Sequence, residues 1–175
     1  MPVDLAARIR DIADFPSAGI VFKDITPLMA DPEALDAAIT GLAAPVRDLG
    51  VDCVIGAEAR GFLLGTALAH QLGAGFVLAR KPGKLPYDTV RAEYLLEYGT
   101  DALEVHSDAV ARGARVLVHD DLLATGGTAS ALCDLVEQLG GEIVACSFLI
   151  ELAFLHGRER LSGREIHALL RYDEE

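Results

Sequence analysis

Short apolar runs separated by small-residue turns set the rhythm of this chain: Cys53-Val54-Ile55, Gly75 to Ala79, Val116-Leu117-Val118, Glu142 to Leu152 and Ile166 to Leu170. Continuous runs of this length suit strands buried on both faces of a parallel sheet. Between them apolar residues recur at helical spacing. Leu35, Ala38, Ile39 and Leu42 follow Asp31-Pro32, which supplies an N-cap carboxylate and a proline at the first helical position. Pro45 removes a hydrogen bond and crowds the preceding turn, so this helix ends or kinks there. A second helix runs from about Phe62 to Leu72 and stops at Gly73. A third carries Ala129, Leu132, Cys133, Val136 and Leu139 and ends at Gly140-Gly141. At the start of the chain Val3, Leu5, Ala6, Ile9 and Ile12 fall near one face of a helix over residues 3–13, ended by Phe15-Pro16. Residues 85–100 carry little core signal. Tyr94, Leu96 and Tyr98 alternate there with Glu93, Leu95 and Glu97, which predicts a two-stranded flap with Ala102 to Val105. Strands alternating with helices predict an α/β domain, its sheet mainly parallel and its sites at the carboxyl ends of the strands.

Composition sharpens the picture in a few places. A chain of 175 residues predicts a single domain over 1–175, and 51% hydrophobic residues predict a packed core. The formal net charge of −12 argues against a nucleic-acid or anionic-membrane partner, so a polyanionic substrate would need cations gathered locally. Two of the lysines, Lys81 and Lys84, lie in the single segment Arg80-Lys81-Pro82-Gly83-Lys84. A short basic run is often only a solvated turn; here it directly follows a core strand in an acidic chain. Cys53, Cys133 and Cys146 are odd in number, lack metal spacing and sit in apolar contexts, as reduced thiols of a cytoplasmic protein would. Charged residues interrupt any signal-peptide pattern near the start, and the apolar stretch Ile143 to Ile150 is far too short for a membrane span.

Chemistry concentrates in Arg115 to Gly141, RVLVHDDLLATGGTASALCDLVEQLGG. An apolar strand leads to the adjacent carboxylates Asp120 and Asp121. A turn of small residues follows, Ala124-Thr125-Gly126-Gly127-Thr128, and then a helix. A helix N-terminus presents unpaired N–H groups and partial positive charge to an anion. Glycines let the backbone approach a phosphate, Thr125 and Thr128 can donate hydroxyls, and ionised Asp accepts strong hydrogen bonds from sugar hydroxyls. An ordinary βα corner would explain the glycines alone but not the acidic pair before them. A second βα loop, Ala57-Glu58-Ala59-Arg60-Gly61, places a cation at a helix N-terminus, the unfavourable sign for the macrodipole unless an anion binds beside it. His119 reads as a strand-end residue and not as a ligand. Walker A, H-E-x-x-H and G-x-S-x-G motifs do not occur.

The string HDDLLATGGT resembles the phosphoribosyl pyrophosphate (PRPP) motif of type I phosphoribosyltransferases, and DDLLATGGT is the form found in adenine phosphoribosyltransferases. The segments FPSAGIVFKDITPL, RKPGK, LLEYG and IELAFLHGRERL resemble the same family in the same order, from about Phe15 to Leu161. The resemblance implies the type I phosphoribosyltransferase fold. The core would comprise about 31–80 and 101–155, and the hood about 1–30 and 81–100 plus the C-terminal segment. It implies transfer of the 5-phosphoribosyl group of PRPP to adenine, giving AMP and pyrophosphate, by a pentosyltransferase acting with Mg²⁺ held mainly by substrate and water. By the same resemblance Ala124, Thr125, Gly126, Gly127 and Thr128 bind the 5′-phosphate, and Asp120 and Asp121 bind the ribose. Glu58, Ala59, Arg60, Arg80, Lys81 and Lys84 bind pyrophosphate, with a cis peptide at Glu58–Ala59. Backbone groups of Val21 and Lys23 would meet the edge of adenine while Phe22 and Leu152 cover its faces, and Glu97 acts in catalysis. A homodimer is expected on the same ground. Other phosphoribosyltransferases, or a regulator keeping the PRPP fold, are the alternatives; FPSAGIVFKDIT and LLEYG argue against the first.

Overall fold

The computed structural model describes residues 3–95 and 100–174. In chain order these form β1 (Arg10–Ala13), β2 (Val21–Asp24), α1 (Thr26–Ala30), α2 (Pro32–Ala43), β3 (Cys53–Ala57), α3 (Arg60–Leu72), β4 (Gly75–Ala79), β5 (Thr89–Leu95), β6 (Thr100–His106), β7 (Arg115–Leu123), α4 (Gly127–Gln138), β8 (Glu142–Leu152) and β9 (Ile166–Tyr172). The central sheet has the order β4-β3-β7-β8-β9, and every pairing within it is parallel, with Ile55 opposite Val77 on one side and Val118 on the other. Parallel strands need crossovers that cover the faces, which explains the unbroken apolar runs. One face packs Ile55, Val77, Val118 and Phe148 against Leu132 and Val136 of α4. The other packs Val54, Leu117 and Leu149 against Leu42 of α2 and Leu64 and Leu68 of α3. Fully burying such a side chain contributes roughly 1.5–3 kcal/mol, so the sheet is a rigid base for the loops at its edge.

Helix boundaries follow the sequence signals. The Asp31 carboxylate accepts from the backbone N–H of Glu33 and Ala34 at 3.0 and 3.2 Å, so it caps α2. The α-helix ends at Ala43, and residues Ala44–Leu49, with Pro45 near their start, form a 3-10 helix. Gly73, in the left-handed region at φ 67°, closes α3. The flap forms: β5 and β6 are antiparallel, with Tyr94 opposite Asp101.

Two expectations are corrected. Residues 3–13 do not form a helix: a 3-10 turn, Ala6–Arg8, leads into β1, which pairs antiparallel with β2. Ile9 and Ile12 are three apart, a spacing that a helix and a turn entering a strand both satisfy. Pairing decides it, because the ladder to β2 satisfies the backbone and sets Ile12 opposite Phe22 and Asp11 opposite Lys23. The acidic pair does not follow its strand but lies within it. Strand β8 continues past the apolar run and pairs β7 out to Leu123, with Asp120 opposite Phe148. Helix α1, absent from the expectations, turns the chain between β2 and α2.

Candidate active site

The carboxyl ends of β3, β4 and β7 lie side by side in a parallel sheet, and the loops leaving them enclose two adjoining cavities of about 210 and 190 Å³. Both are lined by Arg60, Tyr94, Asp120, Asp121 and Thr128. The first extends along Leu122 to Ala129 and the second along Ala57, Glu58, Ala59 and Lys81.

At the first cavity, Gly126 takes φ 83° and α4 starts at Gly127 with no side-chain cap. A residue with a Cβ would be strained at that φ, so glycine is what allows the strand to turn directly into the helix. The uncapped first turn directs N–H groups and the positive end of the helix at the cavity. Next to it, Asp121 is 3% exposed and its Oδ2 lies 3.2 Å from Arg60 Nε. Asp120 Oδ1 accepts from the Asp121 backbone N–H at 2.9 Å. Gly61 permits this arrangement, since a Cβ there would fall 2.8 Å from Asp120 Oδ1. Burial and the adjacent Asp121 carboxylate hold Asp120 well above the usual carboxylate range. Burial also raises Asp121, opposed by the Arg60 guanidinium. The pair therefore shares negative charge at high cost, and a ligand that offers hydroxyl donors offsets that cost.

At the second cavity the Glu58–Ala59 peptide is cis, as the resemblance implied. Glu58 Oε1 accepts from Lys81 N at 2.6 Å and lies 3.4 Å from Arg80 Nε. Lys81 Nζ pairs with Asp101 and is 3.2 Å from the Tyr94 hydroxyl. The cations are present where the sequence placed them, and most are held by carboxylates. Lys84 is exposed and lines neither cavity.

The segment assigned to the base stands beside this site. Phe22 lies under the Arg60 guanidinium, 5.0 Å from ring centroid to Cζ, so Arg60 joins the segment to the acidic pair. The Lys23 ammonium is buried, 2.8 Å from Asp11 and 4.4 Å from the Tyr172 ring centroid. Val21 and Leu152 are half-buried, and neither they, Phe22 nor Lys23 line the two cavities. Glu97, the residue assigned to catalysis, and its neighbour Tyr98 lie outside the described residues.

Residues that no motif singled out also enter the site. Tyr94 lines both cavities, and its hydroxyl donates to Asp101 at 3.2 Å. The period-2 alternation that predicted the flap was the available signal for Tyr94; Asp101 had none. His119 is not at a strand end but fully buried within β7, and burial lowers its pKa to about 4.

Residues 30–165 match the phosphoribosyl transferase domain family. The chain is 58% identical over 168 residues to the adenine phosphoribosyltransferase of Rubrobacter xylanophilus, covering 95% of this chain and 91% of that protein. The crystal structure of adenine phosphoribosyltransferase from Thermoanaerobacter pseudethanolicus superposes with TM-score 0.94 at 52% identity, covering 96% of this chain and 98% of that one. The Saccharomyces cerevisiae adenine phosphoribosyltransferase, complexed with D-2,5-dideoxy-2,5-imino-altritol 1,6-bisphosphate and adenine, superposes with TM-score 0.90 at 39% identity, covering 95% and 96%.

Proposed function

The chain belongs to the phosphoribosyl transferase family, and from that membership we propose how its site works. The activity is that of its relatives: the 5-phosphoribosyl group of PRPP is transferred to adenine, giving AMP and pyrophosphate. One observation carries the assignment of roles. The uncapped start of α4, the acidic pair of β7 and the cation-bearing loops after β3 and β4 converge on two adjoining cavities.

In this reading Ala124 to Thr128 hold the 5′-phosphate through backbone N–H groups and the two threonine hydroxyls. Asp120 and Asp121 accept from the ribose hydroxyls in the same cavity. Glu58, Ala59, Arg60, Arg80, Lys81 and Lys84 form the pyrophosphate side; Glu58 orients the cations and Lys84 reaches in from the exposed loop. The C1′ carbon develops positive charge as pyrophosphate leaves, and the buried carboxylates stabilise that charge. Positioning and charge stabilisation supply the catalysis, with no covalent intermediate. The β1–β2 and β5–β6 hairpins make up the hood, with Tyr94 closing on the ribose and Glu97 assisting at the purine. Adenine is read by the Val21 and Lys23 backbone between Phe22 and Leu152. A fixed N–H and C=O pair matches adenine and mismatches the oxo edge of hypoxanthine or guanine.

Mg²⁺ would accompany PRPP, held mainly by substrate oxygens and water, with the Asp120 and Asp121 carboxylates as the protein oxygens beside it and no dedicated protein cage. When bound it offsets the charge of the departing pyrophosphate. We also place the protein in the cytoplasm, where Cys53, Cys133 and Cys146, all free, would remain reduced. The proposed homodimer face is the edge strand β4 with α3, where Leu78 and Leu63 are 47% and 50% exposed. Assay of the purified protein with PRPP, Mg²⁺ and each of adenine, hypoxanthine, guanine, xanthine and orotate tests the whole reading. Product with adenine alone is expected; turnover of another base at a comparable rate refutes the base assignment.

A further inference from the structure

We infer that Arg160 is a further phosphate-binding residue, supplying to the 5′-phosphate the cation that Ala124 to Thr128 lack; this rests on the reading of that loop as the phosphate cradle. The backbone brings Arg160 there. Residues Gly157–Leu161 form a 3-10 helix that packs on the cradle through two glycines. A Cβ on Gly157 would collide with the Ala124 carbonyl oxygen, and one on Gly126 with the Gly157 carbonyl oxygen. With both absent, the two loops meet backbone to backbone. Arg160 then starts 3.2 Å, at its Cβ, from the point a Gly126 side chain would occupy. Its Nη1 ends 3.6 Å from the corresponding point on Gly127, the first residue of α4. The guanidinium therefore lies against the helix turn whose N–H groups are uncapped.

The charge balance requires a group of this kind. A helix terminus offers about half an elementary charge, whereas a phosphate monoester carries nearly two and here would sit beside the acids Asp120 and Asp121. The cations nearest these acids are engaged on the pyrophosphate side: Arg60 with Asp121, Arg80 with Glu58, and Lys81 with Asp101. Arg160 is exposed, and no acid among the described residues pairs with it. A planar guanidinium can donate two parallel bonds to phosphate oxygens, geometry that a helix N-terminus alone does not provide.

Titration calorimetry of AMP and of adenosine, with wild type, Arg160→Gln and Arg160→Lys, tests this. Arg160→Gln is expected to weaken AMP binding about ten- to a hundredfold, the range for a hydrogen bond to a charged group, and to leave adenosine unchanged. The salt dependence of AMP binding should fall, the KM for PRPP should rise with kcat nearly constant, and Arg160→Lys, which keeps the charge but not the paired donors, should recover part of the loss. Unchanged AMP affinity in Arg160→Gln overturns the inference. So does equal weakening of AMP and adenosine, which marks a packing role. If wild type itself binds AMP no better than adenosine, the phosphate cradle is wrong, and that failure is visible before any variant is made.

Discussion

Replacing the half-buried Asp120 by Asn removes one charge from the acidic pair of β7 while keeping its shape. The isostere fits against Gly61 and keeps the Oδ1 that accepts the Asp121 backbone N–H. What it removes is repulsion between two neighbouring carboxylates in a site that already disfavours charge. Relief of a buried like-charge contact stabilises by about 1 kcal/mol or more, which in a domain of this size raises Tm by roughly 2–4 °C per kcal/mol. The same change weakens a charge-assisted hydrogen bond to the ribose, worth about 1.5–3 kcal/mol, or roughly ten- to a hundredfold in kcat/KM. The pH dependence has a definite sign. A carboxyl whose folded pKa is raised binds more protons when folded than unfolded between the ordinary range and its raised value, so its contribution to stability falls as pH rises through that window. The Tm advantage of Asp120→Asn over wild type should therefore grow from pH 4 towards neutrality. Thermal melts across pH, paired with initial rates at saturating adenine, measure both halves. A variant that loses stability and activity together would show that Asp120 serves the fold; full activity would remove it from the ribose site.

His119→Leu replaces a fully buried ring whose one polar neighbour is the Ser147 backbone, and should change stability at pH 7 by no more than about 1 kcal/mol. Because the folded pKa is about 4 against an ordinary 6.5, wild type loses stability as pH falls through that interval, and melts at pH 5 and 7 should show a smaller gap in the variant. Gly157→Ala sets a methyl group against the Ala124 carbonyl, which no side-chain rotation relieves. It should destabilise by about 2–4 kcal/mol in urea melts and raise the KM for PRPP, and a neutral outcome would contradict the loop contact. Lys84→Gln should weaken PRPP binding at low salt and lose that effect at high salt, with no change in Tm, since Lys84 is exposed. A salt-independent loss would assign it to packing.

The sheet was legible because burial on both faces forces unbroken apolar runs, and Gly75–Ala79 and Glu142–Leu152 are strands from end to end. Residues 3–13 were not, since a few apolar residues spaced three and four apart do not separate a helix from a turn and a paired strand. The difference lies in β2, a partner that no local pattern announces. The extension of β7 through Asp120 and Asp121 was hidden for the same reason: a neighbouring strand holds two acids in the ladder against their own preference for turns. Site residues in loops with unusual composition were readable. Tyr94 reaches both cavities by strand register, Asp101 meets it and Lys81 from the paired strand, and Arg160 comes against Gly126 and Gly127 by packing of one loop on another, which are properties of the assembled fold.

The arrangement of charge also explains how a chain of net charge −12 can hold a polyanion. Three cations of the loops after β3 and β4 are each met by an acid: Arg60 by Asp121, Arg80 by Glu58, Lys81 by Asp101. These contacts keep the guanidinium and ammonium groups in place without ligand, so their ordering entropy is spent in folding and not at binding. The acids differ in what they do next. Asp121 lines the first cavity, so on the proposed roles releasing Arg60 to pyrophosphate would free a carboxylate for the ribose hydroxyls. Asp101 sits on β6, the partner strand of β5, so drawing Lys81 towards pyrophosphate would loosen a tie between the basic loop and the β5–β6 hairpin. PRPP, which carries both anion and sugar, satisfies both halves of the Arg60–Asp121 pair, whereas free pyrophosphate satisfies one. That difference favours substrate over the leaving group within one set of residues. Asp121→Asn should therefore narrow the ratio of pyrophosphate to PRPP dissociation constants, and an unchanged ratio would show that the pair plays no part in distinguishing them.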